Sequence, residues 1–525
     1  SVSHRKMMPC EIVETAMASA TVPTLAPARF SQVRQLEVSD FRSWAEVSAL
    51  MEPLYVQAAR LEPDSPLQAE IDRIAAAHDT PADRAMAALR LVQDEVRYVA
   101  LSMGVGNLVP ATADETWRRR FGDCKAKTAL LLALLNGLGI PAEASLISIE
   151  NGDGMDERLP LLGLFDHVVV RTEIDGQVLL LDGTRSGDRI LGDAPVAGFA
   201  WTLPLRAEGG DLERIVQPRL STASMMVDIT MDASAGLDAP ARLRGDVRIG
   251  GEGAALMNQW AGSMSPEQMQ ETLRDITRPG ADETADVDAV EGVYDAGSNT
   301  YSIILDGTDR LSWWPTPGGR RQLQVEETAI TASRPEIRAA SDQAHADLPY
   351  AVAHPVLTAS ETRIVLPGGG EGFTVDGDDV DRTYAGVRYQ RTSRLENGVL
   401  TVSIRRESLV SELSAAEVRE AREAGVPNVA QISILAPPGY RATEADQLSL
   451  TAEQADVTAL LRRAQVLRAR GDIAGAAEAL DRAVEADPED VRAHILRGSF
   501  LRDQGEFAAS RVDLEKAAEL GVPVK

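Results

Sequence analysis

The sequence predicts a multidomain α+β protein, and three observations support this fold class. Apolar residues recur at helical spacing from about residue 40 to residue 137, and alternating strands follow between Gly, Asp and Asn turns. After residue 450 the pattern is helical again and repeats every 34 residues. A chain of 525 residues has room for three or four domains.

These changes of pattern divide the chain into five predicted segments. Residues 1–40 form no complete unit and are interpreted as a linker or the remnant of an upstream β domain. A mixed core is predicted for residues 41–205, β-rich domains for 206–330 and for 331–450, and helical repeats for 451–525. The chain begins with Ser1, so we expect the natural chain to start further upstream, and the lack of a signal pattern does not define its compartment.

The core is predicted to start with helices and to end with strands. Helices are expected from Ser43, from Pro66, after Pro81, around Trp117 and from Cys124. Gly139 tolerates the left-handed conformation that ends the last of these helices. Strands are expected at 142–149, 167–174 and 177–181, with Asp175 and Gly176 as a hairpin turn between the last two.

Residues 206–450 are predicted to be mostly β structure, because apolar and polar residues alternate between turn residues. One helix is expected within this segment at 265–276, and another is expected after Ser414. The clearest strands are expected at 225–231, 241–249, 301–305, 361–366 and 398–404. Trp313 and Trp314 are interpreted as part of a core or of a domain interface.

Matched positions define the repeat near the end of the chain. Each pair is 34 residues apart: Leu467 and Leu501, Gly471 and Gly505, Leu480 and Leu514, and Ala483 and Ala517. This pattern resembles the tetratricopeptide repeat, which implies a concave surface for a protein partner. Two units bury little surface, so we expect them either to dock on the β region or to continue in a longer natural protein.

The composition excludes several classes of protein. A formal net charge of −27 repels phosphate backbones, so no nucleic-acid partner is predicted. The longest apolar run, at 129–135, is far too short to span a bilayer. Cys10 and Cys124 are too few for a disulfide framework, and no paired Cys and His spacing indicates zinc. No cofactor is predicted.

An ordered triplet of residue types carries the strongest functional signal. Cys124 lies in Arg120-Phe121-Gly122-Asp123-Cys124-Lys125, directly before strong helix formers. His167 follows on a predicted strand, and Asp182 ends the next strand. Each residue alone has a structural interpretation, but together they are the parts of a cysteine nucleophile with a base and an orienting group. A helix N-terminus and a nearby imidazolium would both favour the thiolate of such a cysteine.

Residues 40–205 resemble the transglutaminase-like superfamily, whose fold is related to papain. The resemblance rests on the motif at 119–125, the Leu-rich helix ending at 138–141, the strand start at 165–168 and the motif at 181–184. It looks like a bacterial subgroup in which this core follows an N-terminal β domain of unknown function and sometimes carries tetratricopeptide repeats. The resemblance implies Cys124 as nucleophile, His167 as general base and acid, and Asp182 as orienting residue. It also implies a periplasmic or cell-envelope location.

Two positions depart from the pattern of that superfamily. An acidic residue is expected after Cys-Lys, where this chain has Ala126, and Pro is expected between Asp and Thr, where it has Gly183. Neither change removes a catalytic atom, but both could reshape the pocket. The Cys124 amide and a second, upstream donor are expected to hold the oxyanion. The candidates for this second donor are Tyr98, Asn107 and Trp117.

The predicted function is thiol-dependent acyl transfer on a peptide or protein amide. If water resolves the thioester, the protein is a peptidase or amidase, whereas a lysine-like amine gives a protein crosslink. Hydrolysis is the preferred interpretation, because bacterial members of the superfamily that the chain resembles look more often hydrolytic. A non-catalytic scaffold that keeps the fold is the remaining alternative, and a buried, unreactive Cys124 would favour it.

Overall fold

The computed structural model describes residues 11–15, 25–30, 35–99, 108–149, 152–192, 200–216, 219–277, 286–338, 345–451, 457–469 and 471–520. Within them, a core of helices and strands (35–216), a β-rich middle region (219–440) and a helical tail (444–520) follow one another. The predicted multidomain α+β architecture is confirmed.

The N-terminal residues contribute a pair of strands. β1 (Glu11–Thr15) and β2 (Gln35–Ser39) are antiparallel. Between them in sequence, the Arg29 guanidinium binds Asp153 of the core at 3.1 Å and Glu412 of the middle region at 2.5 Å. Arg29 therefore joins these two parts of the chain. Cys10 lies outside the described residues.

Four of the five α-helices that the structure describes in the core begin at capping side chains. The five are α1 (Trp44–Ala58), α2 (Leu67–Ala77), α3 (Pro81–Glu95), α4 (Ala113–Arg119) and α5 (Cys124–Gly137), and α2 is the exception. Ser43, Thr80, Thr112 and Asp123 each accept a hydrogen bond from the amide three residues later, which satisfies one open donor of a helix start. The other four helices contact α5, whose side chains are buried from Ala126 to Leu135.

Two sets of strands complete the core. They are β3 (Arg97–Tyr98) and β4 (Phe121–Gly122), which pair in parallel, and β5 (Ala142–Ile147), β6 (His167–Ile174), β7 (Gln177–Leu181), β8 (Trp201–Pro204) and β9 (Glu213–Arg214). The last five form an antiparallel sheet in the order β7-β6-β5-β8-β9. Asp175 and Gly176 form the predicted turn with φ of +54° and +77°. Because β9 belongs to this sheet, the core sheet extends past residue 205.

The middle region is built mainly of strands. They are β10 (Met225–Asp232), β11 (Ala241–Gly250), β12 (Asp286–Asp295), β13 (Thr300–Asp309), β14 (Trp313–Pro315), β15 (Arg321–Gln324), β16 (Ile330–Thr331), β17 (Tyr350–Ala351), β18 (Leu357–Val365), β19 (Thr374–Asp376), β20 (Val380–Tyr384), β21 (Val387–Glu396), β22 (Val399–Ser408), β23 (Glu412–Leu413), β24 (Asn428–Val429) and β25 (Ser433–Leu435). Eight of them form one sheet in the order β12-β13-β11-β10-β18-β22-β21-β20.

This large sheet takes strands from both predicted β-rich domains. β10 lies in the segment predicted as 206–330, β18 lies in 331–450, and the two strands pair in parallel along their length. The smaller sheet β14-β15-β25-β19 also combines the two segments. A boundary at residue 330 therefore does not separate two sheets, because pairing between distant strands leaves no mark on local sequence pattern.

Three α-helices interrupt the strands in the described part of the middle region. They are α6 (Glu252–Ala261), α7 (Pro266–Thr277) and α8 (Ala415–Ala424). The sequence predicted α7 and α8, and α8 starts with a capping box between Ser414 and Glu417. It did not predict α6, because Gly250, Gly251 and Gly253 at its start are typical of a turn. Both α6 and α7 pack on the strands at the β12 end of the large sheet.

The tail packs on the middle region. Its helices are α9 (Glu444–Thr451), α10 (Val457–Ala469), α11 (Ile473–Ala486), α12 (Val491–Asp503) and α13 (Phe507–Glu519). Asp446 of α9 is fully buried and accepts hydrogen bonds from the amides of Asp238 and Ala239 at 2.6 and 3.1 Å. Among the described helices, none has both the length and the apolar character needed to cross a membrane.

Candidate active site

Cys124 is the first residue of α5, and the turn before it is held from two sides. The Asp123 carboxylate caps the helix by accepting a hydrogen bond from the Ala126 amide at 3.0 Å. Gly122 lies so close to the helix that a Cβ there would be 2.7 Å from the Ala126 Cβ. The Val99 amide donates to the Gly122 carbonyl at 3.0 Å. These contacts fix the direction in which the thiol leaves the helix.

The structure brings the three predicted site residues together. His167 Nε2 and Asp182 Oδ2 are 2.8 Å apart, and the Cys124 side chain lies close enough to the His167 ring to help raise the pKa of that ring. Because Nε2 faces Asp182, Nδ1 is the nitrogen that remains for the thiol. A hydrogen bond of 3.1 Å from the Thr128 hydroxyl to the Val168 carbonyl joins the cysteine helix to the histidine strand. The thiol therefore lies beside the imidazole, and the imidazole is bonded to the carboxylate.

The electrostatics of this group favour an imidazolium. Burial lowers the pKa of His167, but hydrogen bonds to Asp182 and Cys124 outweigh burial and raise the pKa from 6.5 to about 10. Burial also acts to raise the pKa of Asp182, but its bonds to His167 and Thr184 prevail, and the pKa lies below its ordinary value. At neutral pH the site therefore contains a carboxylate and an imidazolium beside the Cys124 side chain.

Two residues that sequence reasoning missed hold the Asp182 loop. Thr184 donates to Asp182 Oδ1 from its amide at 2.8 Å and from its hydroxyl at 2.7 Å. Gln93 of α3 donates from Nε2 to the Asp182 carbonyl at 2.9 Å and to Asp188 Oδ2 at 2.8 Å. An Asp with Thr two residues later is a local signal for such a turn. Gln93 gave no signal, because it is distant in sequence.

The two lysines beside Cys124 do not face the thiol as free charges. Lys125 Nζ is 2.5 Å from Asp123 Oδ2, so this pair offsets its own charge. Lys127 is buried, and its Nζ donates to the Val96 carbonyl. Burial lowers the pKa of Lys127 to about 8, although Asp182 and Asp94 act in the opposite direction. These contacts reduce the positive potential that the two lysines could add beside Cys124.

The three candidates for a second oxyanion donor differ in position. Trp117 is buried in the core and its ring stacks against the Arg120 guanidinium, 3.5 Å from the ring centroid. Tyr98 is half exposed and lies opposite Gly122 in the pairing of β3 and β4. Burial and the charges of Cys124, Asp123 and Asp182 raise the pKa of Tyr98, which places the phenol near the site. Asn107 lies outside the described residues.

Other features offer no competing centre. A cavity of about 650 Å³ lies near the far end of α5, with Tyr55, Leu132 and Asn136 in its wall, and it includes none of the three site residues. The cavity wall contains no cysteine or serine beside a histidine, so the triplet is the candidate site. Trp313 is a core residue, as predicted, whereas Trp314 is half exposed, because it points to the opposite face of the same strand. Within the described part of the chain, no group of His, Cys, Asp and Glu could hold a metal ion.

Comparisons with known proteins identify the tail. Residues 461–521 match the family model of the tetratricopeptide repeat, so the predicted repeat is confirmed. No curated protein matches the sequence. A "putative protease" from Parabacteroides distasonis is similar in structure over 82% of this chain and 68% of that chain, with 11% identity and a TM-score of 0.43. Red sea bream transglutaminase is similar over 68% of this chain and 69% of that chain, with 11% identity and a TM-score of 0.20.

Proposed function

We propose that the chain catalyses thiol-dependent acyl transfer on peptide or protein amides, with water as the final acceptor. The proximity of Cys124 to the bonded pair of His167 and Asp182 is the observation that carries this proposal. Each of the three side chains has the partner that its role requires: the thiol a base, the base an orienting carboxylate, and the carboxylate its own donors from Thr184.

In the first half of the reaction, the Cys124 thiolate attacks the amide carbonyl carbon and the carbonyl electron pair moves to the oxygen. Cys124 is the first residue of α5, so its amide has no acceptor within the helix and can donate to the oxyanion. The exposed phenol of Tyr98 is the second donor that we propose. The carbon–nitrogen bond then breaks, His167 gives its Nδ1 proton to the leaving amine, and a thioester remains.

In the second half, His167 takes a proton from water and the resulting hydroxide attacks the thioester. The carbon–sulfur bond breaks, which releases the carboxylic acid and restores the thiolate beside the imidazolium. Asp182 keeps the ring in one orientation through both halves, because Nε2 remains bonded to its carboxylate. An amine in place of water would give a crosslink through the same steps.

The remaining parts of the chain have roles that agree with this proposal. The tetratricopeptide tail would bind a protein partner or bring a substrate to the core, since such repeats offer concave binding surfaces. A peptide or protein substrate in the periplasm or cell envelope completes the proposal, as the resemblance of residues 40–205 implies.

The pH dependence of Cys124 alkylation by iodoacetamide tests the proposed function. The rate is measured in a Cys10→Ser background, in otherwise wild-type protein and in His167→Ala. Rapid reaction at pH 6–7 that is lost in His167→Ala supports a thiolate that an imidazolium stabilises. Slow reaction in both proteins would remove the catalytic proposal and leave the scaffold. Peptide cleavage and incorporation of a labelled primary amine, each absent in Cys124→Ser, then separate hydrolysis from crosslinking.

A further inference from the structure

The loop that follows Asp182 is held from outside the core as well as from within it. Asn299, in the turn between β12 and β13, donates from Nδ2 to the Gly187 carbonyl at 2.6 Å and to the Gly251 carbonyl at 2.7 Å. Arg189 of the same loop donates to the Ala296 carbonyl at 3.1 Å. The middle region therefore contacts the core within a few residues of the proposed catalytic carboxylate.

Asn299 is built into this contact. Its side chain is fully buried, and its Oδ1 accepts a hydrogen bond from the Tyr294 hydroxyl at 2.9 Å. Its own carbonyl accepts from the Gly251 amide at 3.1 Å. Both carbonyls that face Nδ2 can only accept, and the hydroxyl donates to Oδ1, so an amide is the one group of this size that satisfies all three neighbours.

The loop side of the contact also depends on a special residue. Gly187 has a φ of +79°, and a Cβ at this position would lie 2.0 Å from Asn299 Nδ2. Any larger residue would therefore push the middle region away from the loop, besides adopting a strained backbone conformation. Close approach and backbone conformation both require glycine here.

A peptide bond and two hydrogen bonds through Gln93 connect Gly187 to Asp182. The amide of Asp188, the next residue, donates to Gln93 Oε1 at 3.0 Å. Gln93 Nε2 in turn binds the Asp188 carboxylate and the Asp182 carbonyl, at 2.8 and 2.9 Å. A shift of Gly187 would move Asp188, and through Gln93 it would change the backbone position of Asp182.

We propose that Asn299 is a positioning residue for Asp182, so that the middle region completes the active site of the core. This inference rests on the proposed function, because it assigns the contact a role in orienting His167. It implies that the core and the middle region act as one catalytic unit, in which loss of the Asn299 contact weakens the His167–Asp182 bond without removing any catalytic atom.

Asn299→Gly in the full chain is the test, because glycine keeps the positive φ of +49° without strain and removes only the amide. Asn397→Gly is the matched control: Asn397 lies in the turn between β21 and β22, has a φ of +50° and is exposed. Tyr294→Phe is a milder variant that removes one bond to the Asn299 amide. Thermal unfolding of all proteins shows whether they fold.

The readout is the titration of His167, followed by NMR with 13C-labelled histidine, together with the alkylation rate of Cys124 at pH 6–7. In Asn299→Gly we expect the pKa of His167 to fall by about 1 unit and alkylation to slow about 10–100-fold. Tyr294→Phe should show a smaller effect in the same direction, and Asn397→Gly none. A purely structural contact would lower the melting temperature and leave the His167 titration unchanged, which would overturn the inference.

The two proposals fail in different ways. If Cys124 of the wild type is unreactive at every pH, the proposed function is lost, but the His167 titration still reports whether Asn299 positions Asp182. If wild-type Cys124 reacts rapidly and Asn299→Gly reacts equally fast with an unchanged His167 titration, the proposed function stands and the role of Asn299 is wrong.

Discussion

Replacing Asp182 with asparagine tests the origin of the charge on His167. The side chain keeps its size and an atom to face Nε2, so packing changes little, but the carboxylate that lies 2.8 Å from the ring is lost. The pKa of His167 is raised from 6.5 to about 10. At 1.36 kcal/mol for each pKa unit, the site stabilises the imidazolium by about 5 kcal/mol. An opposite charge at this distance accounts for about 1–3 units of such a rise.

His167 should therefore titrate at a clearly lower pH in Asp182→Asn than in the wild type. The pKa of His167 in the folded state is above the unfolded value of 6.5. The bond between His167 and Asp182 therefore stabilises the fold fully below pH 6.5, and this contribution is lost as the pH rises through about 10. The protonated ring must also donate to the leaving amine. Activity of the wild type should thus persist to a pH near 10, and activity of Asp182→Asn should decline at a pH that is lower by about 1–3 units.

NMR with 13C-labelled histidine measures this titration directly, and His167→Gln assigns the signal among the six histidines of the chain. Asp513→Asn is a matched control, because Asp513 is also buried and bonded to a histidine, His494, at 2.9 Å in the tail. It should leave the His167 signal unchanged. A His167 titration near pH 10 in Asp182→Asn would refute the reasoning, since the charge would then have another source.

Three further changes test individual contacts of the site. Tyr98→Phe should lower kcat about 10²–10³-fold with little change in KM, and a change in KM alone would contradict the oxyanion role. Burial lowers the pKa of Lys127 from 10.5 to about 8, so the free energy of unfolding should rise by about 3 kcal/mol as the pH increases between these two values. Lys127→Met should not show this rise in urea unfolding. A stability difference between the two proteins that does not change with pH would contradict the reasoning. Gly122→Ala should cost about 1–3 kcal/mol in the same assay, because its Cβ would meet Ala126; unchanged stability would contradict this contact.

Interactions between residues close in sequence explain why the turn before α5 and the hairpin of β6 and β7 could be predicted. Asp123 caps α5 through an amide three residues away, and Asp175 and Gly176 form their turn within the hairpin itself. Such features depend on neighbours in sequence, so residue type and spacing are enough to indicate them. The starts of α5 and β6 place a thiol and an imidazole at element ends, which is why the candidate pair was visible in the sequence.

Features that depend on distant pairing could not be predicted. The parallel pairing of β10 with β18 joins strands that lie more than a hundred residues apart. The alternating pattern of each strand shows that it belongs to a sheet, but it does not show which strand lies beside it. Gln93 lies in a helix whose sequence gives no sign of a role for it, yet its side chain binds two points of the Asp182 loop. The sequence shows that Lys125 and Lys127 are charged, but it does not show their partners. These are the Asp123 carboxylate and the Val96 carbonyl, and they hold the two amines in place.

The tail contains a second buried histidine–aspartate pair, which shows that residue types alone do not define a site. His494 Nδ1 lies 2.9 Å from Asp513 Oδ1, much as His167 lies against Asp182. The other nitrogen of His494, Nε2, is 3.0 Å from the Pro488 carbonyl, which can only accept a hydrogen bond. Both nitrogens of His494 therefore face oxygen atoms within the fold, and neither of these contacts involves a nucleophile. His167 differs because its second nitrogen faces the side chain of a cysteine, and that contact makes it the better candidate for a catalytic base.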